Sequence, residues 1–356
     1  MIAARVLKRF PGGRESAPFT LDIDLSTTAG ITALFGPSGA GKTLTLDCIA
    51  GFIRPDEGRI LLADRLVFDA HAGVHLSPQK RRCGYVVQNY ALFPHMTLRQ
   101  NLAFAAERLP RIERHRKVGE MLERFRLNDV AGRKPHELSG GQKQRCSIAR
   151  ALIGGPSVLL LDEPARGLDA PLRNELYEVL RQVRAEFATP ILLVTHSLEE
   201  AFELAGEMVV LDNGRIAQSG TPAAICDQPA SVDVARLLGI FNLLPVEIRM
   251  LDPSRNASVL RYRDSEIAGM YYPGHLIGDR VHVCVTPAAL RAAPRNGRPA
   301  PNQVPVQLAR AVERAGAVRL DFEGGVVAEL PRDQFERMRH VREWVVEFPA
   351  SSLRIV

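Results

Sequence analysis

Aromatic side chains are scarce: they make up 6% of the 356 residues, with a single tryptophan. A surface that stacks nucleic-acid bases needs aromatics interleaved with cations. Tyr262, Tyr271, Tyr272 and Trp344 show no such interleaving, which argues against a nucleic-acid partner. Cysteine is also rare. The five, Cys48, Cys83, Cys146, Cys226 and Cys284, contain no C-x-x-C pair, so a metal or redox centre of that kind is excluded. An odd, scattered set suits free thiols in a reducing cytosol. No apolar run approaches the ~18 residues that a membrane-crossing helix requires. The opening MIAARVLKRF lacks the apolar core and cleavage site of a signal peptide. The expectation is a soluble cytoplasmic protein that reaches a membrane only through a partner.

What is present is the composition of a globular chain. Hydrophobic residues make up 46%, enough for a sizeable core, and the net charge is +6. Lysine and arginine are spread along the chain, as on an ordinary solvated surface. Short apolar runs alternate with helical patterns: ITALF (31–35), GYVVQ (84–88), SVLLL (157–161), ILLVT (191–195) and MVVL (208–211). Unbroken apolar runs of this length suit strands buried on both faces of a parallel sheet. The stretch from Thr97 to Arg133 is charged and helical, so it reads as an insert. Beyond about residue 239, Pro, Gly and β-branched residues dominate. There PVEI from Pro245 is echoed by PVQL from Pro305, and VTPAALR ending at Arg291 by EFPASSLR ending at Arg354. Two related β units of ~60 residues account for this.

Residues 36–43 read GPSGAGKT, between the strand ITALF and a helical pattern. That context makes it a P-loop: Gly36, Pro37, Ser38, Gly39, Ala40 and Gly41 form a turn whose amides face phosphate oxygens. Lys42 reaches the terminal phosphates and Thr43 places a hydroxyl on Mg²⁺. The apolar run LLL (159–161) ends in Asp162 and Glu163. A P-loop protein holds Mg²⁺ through an acid at such a strand end, which is the place of Asp162. Glu163, one residue further on, points elsewhere and suits activation of a water. Ser139 and Gln142 in LSGGQKQR read as a helix capping box, and equally as an exposed helix start built to receive an anion. Ser197 and Glu200 read as a second capping box. His71, His75, His95, His115 and His136 have no metal-ligand spacing.

The string LSGGQKQR, standing after the P-loop and just before the Asp162-Glu163 strand, resembles the signature of the ATP-binding cassette ATPases. Gln88 in VVQNYALFPHMT resembles that family's Q-loop, Leu168-Asp169 the end of its D-loop, and His196 its switch histidine. Phe10 resembles the aromatic that stacks on adenine, with Phe19 as a rival. The resemblance covers about residues 1–240. It implies an α/β P-loop ATPase domain over residues 1–238, with a RecA-like core and a helical subdomain at about 97–150. It further implies a head-to-tail dimer around two ATP molecules, in which Ser139, Gly140, Gly141, Gln142 and Asp169 contact the nucleotide of the other copy. Glu163 is then the general base, His196 bonds the γ-phosphate, and Gln88 touches Mg²⁺ and the attacking water.

Residues 239–356 resemble the paired OB-like β domain of importer ATPases. LVFDAHAGVHLSPQKRRCGYVVQ (66–88) and GITALFGPSGAGKT are similar to sulfate and molybdate importers. The implied function is the ATP-hydrolysing motor of an oxyanion importer on the cytoplasmic face of the membrane. Its partners are a second copy, permease subunits and, indirectly, a solute-binding protein. Iron, polyamine or sugar import is the alternative within that class, and a soluble nucleic-acid ATPase the alternative outside it. Two departures stand out. Thr286-Pro287-Ala288 replaces the tail's usual arginine-proline-glutamate. Arg166 puts a charge in the D-loop, where it is expected to face solvent or an acid near the dimer seam.

Overall fold

The strands that lead into the candidate motifs are apolar because no face of them meets water. In the computed structural model, which describes residues 1–13, 17–27, 30–187, 189–295 and 300–356, every residue of the strands Ile31–Phe35, Val158–Asp162 and Ile191–Thr195 is buried. They lie side by side, parallel, in the spatial order Cys83–Val86, Val158–Asp162, Ile191–Thr195, Ile31–Phe35, Glu207–Asp212. The sheet continues through Arg215–Gly220 into antiparallel strands that include Phe19–Thr27, Ile2–Phe10 and Glu57–Leu62. The five expected strands are all present. The strand expected at 84–88 ends at Val86 instead, so Gln88 stands beyond the ladder.

The chain divides into two compact units, Met1–Ile225 and Cys226–Val356. The helix Val232–Leu238 therefore belongs to the second unit, ahead of the expected boundary at 238. In the first unit, helices Leu98–Ala105, Arg111–Arg124 and Gly140–Ile153 form the helical insert. Thr97 and Gln100 cap its start reciprocally. Leu98, Leu102, Met121 and Leu122 share a core with Cys146, Ile148 and the strand residues Leu159 and Leu161. The helix Gly140–Ile153 is thereby anchored to the sheet while its N-terminus reaches outward.

The second unit holds the internal repeat. Strands Asn242–Asp252 and Gln303–Glu313 each carry an irregularity at the same relative place, Ile248/Met250 and Leu308/Arg310. Each is followed by two antiparallel strands, Ala257–Tyr262 with Ser265–Gly269, and Ala317–Phe322 with Val327–Pro331. The short last strands are exchanged. Arg354–Ile355 pairs with Arg280–Val285 of the first repeat, and Arg291–Pro294 pairs with Glu343–Glu347 of the second. One core unites both repeats, with Trp344, Phe348, Tyr262 and Tyr272 inside it. Three of the four aromatics singled out from the sequence are thus core residues, whose rings have no face to offer a base.

Two buried charged residues brace the first unit. Arg81 is 1% exposed and has no acidic partner among the described residues. Its guanidinium donates instead to the carbonyls of Cys48 and Ile49 (both 2.8 Å) at the end of the P-loop helix, and to Leu76 O (2.9 Å). A cation there also suits the negative end of the helix dipole. Glu200 forms only half of the expected capping box. Its amide donates to Ser197 Oγ (3.3 Å), but the Ser197 amide is taken by Thr195 Oγ1 (2.9 Å). The carboxyl turns inward instead, 3% exposed, with Oε1 unpaired among the described residues. Burial, opposed by a hydrogen bond from Thr195, pushes this carboxyl up to about 7.

Two outcomes follow from these braces. Arg81→Ala leaves buried carbonyls unsatisfied and should destabilise the first unit by about 3 kcal/mol, read from urea unfolding of the intact chain. An acid with a raised folded-state pKa favours the fold fully below its unfolded pKa, near 4.5. That contribution is lost as the pH rises to about 7, at most about 3 kcal/mol. Unfolding of wild type across this range should show falling stability, and Glu200→Gln should flatten the slope. An unchanged slope would mean that Glu200 ionises freely in the fold.

Candidate functional site

Parallel pairing brings the ends of distant segments to one edge. Phe35 pairs with Thr195, Asp162 with Val194, and Val86 with Leu161. The residues just past those ends are the P-loop, His196, Glu163 and Gln88. Open parallel sheets bind ligands at the carboxyl ends of their strands.

The P-loop turns tightly between Phe35 and the helix Lys42–Ala50. A Cβ at Gly36 would stand 2.2 Å from Leu211 O, so no side chain fits there. Lys42 is buried, and its ammonium donates to the loop's own carbonyls, Gly36 O and Pro37 O (both 2.8 Å). Burial lowers its pKa, against the pull of Glu163 and Asp162. Thr43 Oγ1 donates to Asp162, 3.0 Å from Oδ2 and 3.2 Å from Oδ1. Burial raises the Asp162 pKa. A hydroxyl and a desolvated carboxylate at this separation form a hard-oxygen donor set that fits Mg²⁺.

Glu163 is the hub of the remaining groups. Its backbone is left-handed (φ 47°) and its amide donates to Val194 O (3.1 Å), which holds the turn after the strand. Left-handed backbone at a residue other than glycine is strained and clusters at functional sites. Gln88 Nε2 donates to Oε2 (3.3 Å), and His196 Nδ1 lies 3.4 Å from Oε1. Arg166 Nη1 donates to Oε2 at 2.9 Å. Of the two expected directions, solvent or an acid, the half-exposed Arg166 takes the acid: it turns back onto Glu163, three residues earlier in its own loop. The i,i+3 spacing permits this once the chain turns at Glu163, a turn that the string DEPARG does not announce.

Other expected residues are placed separately. Ser139 and Gln142 form the reciprocal capping box (3.2 and 3.0 Å) at the start of Gly140–Ile153. Asp169 caps the next helix, accepting from the Leu172 amide (3.0 Å). No hydrogen bond joins these residues to the P-loop among the described residues. Gly140 instead abuts Leu168 and Tyr90. The same helix holds the segment after Gln88: Ser147 Oγ donates to Tyr90 O and Arg150 Nη1 to Ala91 O, both at 2.8 Å. Nothing in the sequence alone marks these two contacts. Phe10 pairs with Phe19 across neighbouring strands, with ring centroids 6.3 Å apart. Phe19 is the one that packs on the P-loop, since a Cβ on Gly41 would lie 3.2 Å from its ring.

The model of the ABC transporter family matches residues 21–166. The chain is 41% identical over 222 residues to the molybdenum import ATP-binding protein ModC of Rhodospirillum rubrum, covering 62% of this chain and 60% of that one. It therefore spans about three fifths of the length of that relative. It is 38% identical over 334 residues to the sulfate/thiosulfate import ATP-binding protein CysA of Synechococcus elongatus, covering 89% of this chain and 86% of that one. Among solved structures it is similar to the dimeric, ADP- and Pi-bound post-hydrolysis state of the ATP-binding cassette MJ0796. That match has a TM-score of 0.54 at 26% identity and covers 62% of this chain and 99% of that one. With the CysA relative matched over most of both chains, this protein belongs to the ABC transporter ATP-binding family.

Proposed function

We propose that this chain is the ATP-hydrolysing motor of an importer, on the cytoplasmic face of the membrane. Two copies work head to tail, bound to permease subunits that are served by a solute-binding protein. The observation that carries the reading is the convergence of Gln88, Glu163 and His196 beside the Thr43–Asp162 pair.

In this reading ATP lies on Gly36–Thr43. Lys42 exchanges its loop carbonyls for phosphate oxygens, a favourable trade for a desolvated ammonium. Thr43, Gln88 and Asp162 hold Mg²⁺, which neutralises charge on the phosphates. Glu163 takes the proton of a water whose oxygen attacks the γ-phosphorus. The bond from that phosphorus to the bridging oxygen breaks, and its electron pair leaves with ADP. His196 steadies the γ-phosphate. Phe10 stacks on adenine, with Phe19 as its support or its substitute. Ser139, Gly140, Gly141, Gln142 and Asp169 close on the nucleotide of the second copy, so ATP binding drives closure and hydrolysis releases it.

The doubled, strand-exchanged second unit is read as a pair of OB-like regulatory modules. The cargo is an oxyanion, sulfate or molybdate, supported by the similarity to a molybdenum and a sulfate/thiosulfate import protein. A strain lacking this chain should then lose uptake of labelled sulfate or molybdate. Normal uptake of both would exclude that cargo class.

Glu163→Gln should cut ATP turnover at least ~100-fold and accumulate an ATP-bound dimer, seen by light scattering. Turnover at the wild-type rate would remove Glu163 from the role of base. Lys42→Ala should abolish binding of a fluorescent ATP analogue, and unchanged affinity would refute the cradle.

A further inference from the structure

The loop from Glu163 to Asp169 carries one residue that the proposed hydrolysis does not use. Arg166 sits on a tight turn, its amide donating to Glu163 O (3.1 Å). That turn sends its side chain back over the carboxylate. The guanidinium holds Oε2 at 2.9 Å, closer than Gln88 on the same oxygen (3.3 Å) or His196 on Oε1 (3.4 Å). Glu163 is 14% exposed and Arg166 59% exposed. The acid is therefore sheltered while its partner stands at the surface, within reach of anything that docks on this edge. Gly167, next in the chain, is left-handed (φ 75°) with open space around it. Freedom is confined to the turn itself, around Arg166 and Gly167, because Leu168 just beyond is packed in the core and Asp169 caps the next helix.

A carboxylate that takes a proton from water needs an oxygen lone pair facing that water. Here Oε2 accepts from two side chains, the closer of them charged, and His196 Nδ1 stands 3.4 Å from Oε1. We infer that Arg166 is a positioning residue, a reversible latch that keeps Glu163 turned away from water in the separate protomer and lets go when a second copy presses on the loop. This rests on the reading of Glu163 as the base. The latch is weak by construction. Ion pairs with one exposed partner contribute roughly 0.2–1 kcal/mol, so contact with the opposite copy suffices to open it. It acts as a brake on idle turnover and leaves the committed cycle free.

The test is steady-state ATPase kinetics of the intact chain without permease. Arg166→Leu should raise kcat about 1.4- to fivefold, the rate equivalent of such a pair, with KM for ATP unchanged. Arg166→Lys, which keeps the charge but not the planar fork, should show less than half of that gain. The double variant Glu163→Gln with Arg166→Leu should be as slow as Glu163→Gln alone. An unchanged or lower kcat for Arg166→Leu overturns the latch, and a raised KM would mean that the arginine touches nucleotide. A gain from Arg166→Leu in the Glu163→Gln background also overturns it, because Arg166 would then act on another group. The two readings fail separately. If Glu163→Gln is inactive and Arg166→Leu gives no gain, only the latch falls. If Glu163→Gln turns over like wild type, the base falls first and the latch with it.

Discussion

Parallel pairing between strands with no wet face is the constraint on which the rest of this molecule depends. Such strands admit only apolar side chains along their length, so polar groups appear only beyond their ends. The register then decides which ends meet. Asp162 pairs with Val194 and Phe35 with Thr195, so the P-loop, the acid pair and His196 emerge along one edge. A slip of one residue in any of these strands would turn a different residue toward that edge.

That edge is electrostatically unfinished. Burial disfavours the charged form of Lys42 and, equally, the charged form of Asp162. Each is partly compensated by neighbours within the chain: Lys42 by two loop carbonyls, Asp162 by Thr43. In the proposed reading a polyphosphate would answer the first deficit and a divalent cation the second. In that reading the burial would favour substrate and metal together over either alone. Glu163 differs. It stands at the mouth of the edge, and its partners are side chains from three separate segments. Its environment can change when those segments move, whereas that of Asp162 is fixed by the sheet.

The second unit applies another rule, that a short β repeat cannot bury its own apolar face. Each repeat gives its last strand to the other, so neither sheet closes without both halves. The shared core around Trp344 and Phe348 also takes in Tyr262 and Tyr272.

By itself the sequence determined the local chemistry. GPSGAGKT between a strand and a helix, the apolar runs, the DE strand end, the Ser139–Gln142 cap and the doubled PVEI/PVQL words are all short-range patterns, set by neighbours within a few residues. Contacts between segments far apart in the chain were decided by the tertiary structure. The pattern does not say that Arg81 closes the P-loop helix, because its partners are carbonyls more than thirty residues earlier. Nor does it say that Glu200 abandons its cap for the interior, since Thr195 competes for the Ser197 amide only once the strand end is fixed. Arg166 shows how close the two levels come. It is three residues from Glu163, yet its direction depends on a left-handed turn held by Val194 from the neighbouring strand, and so the sheet, not the string, aims the guanidinium.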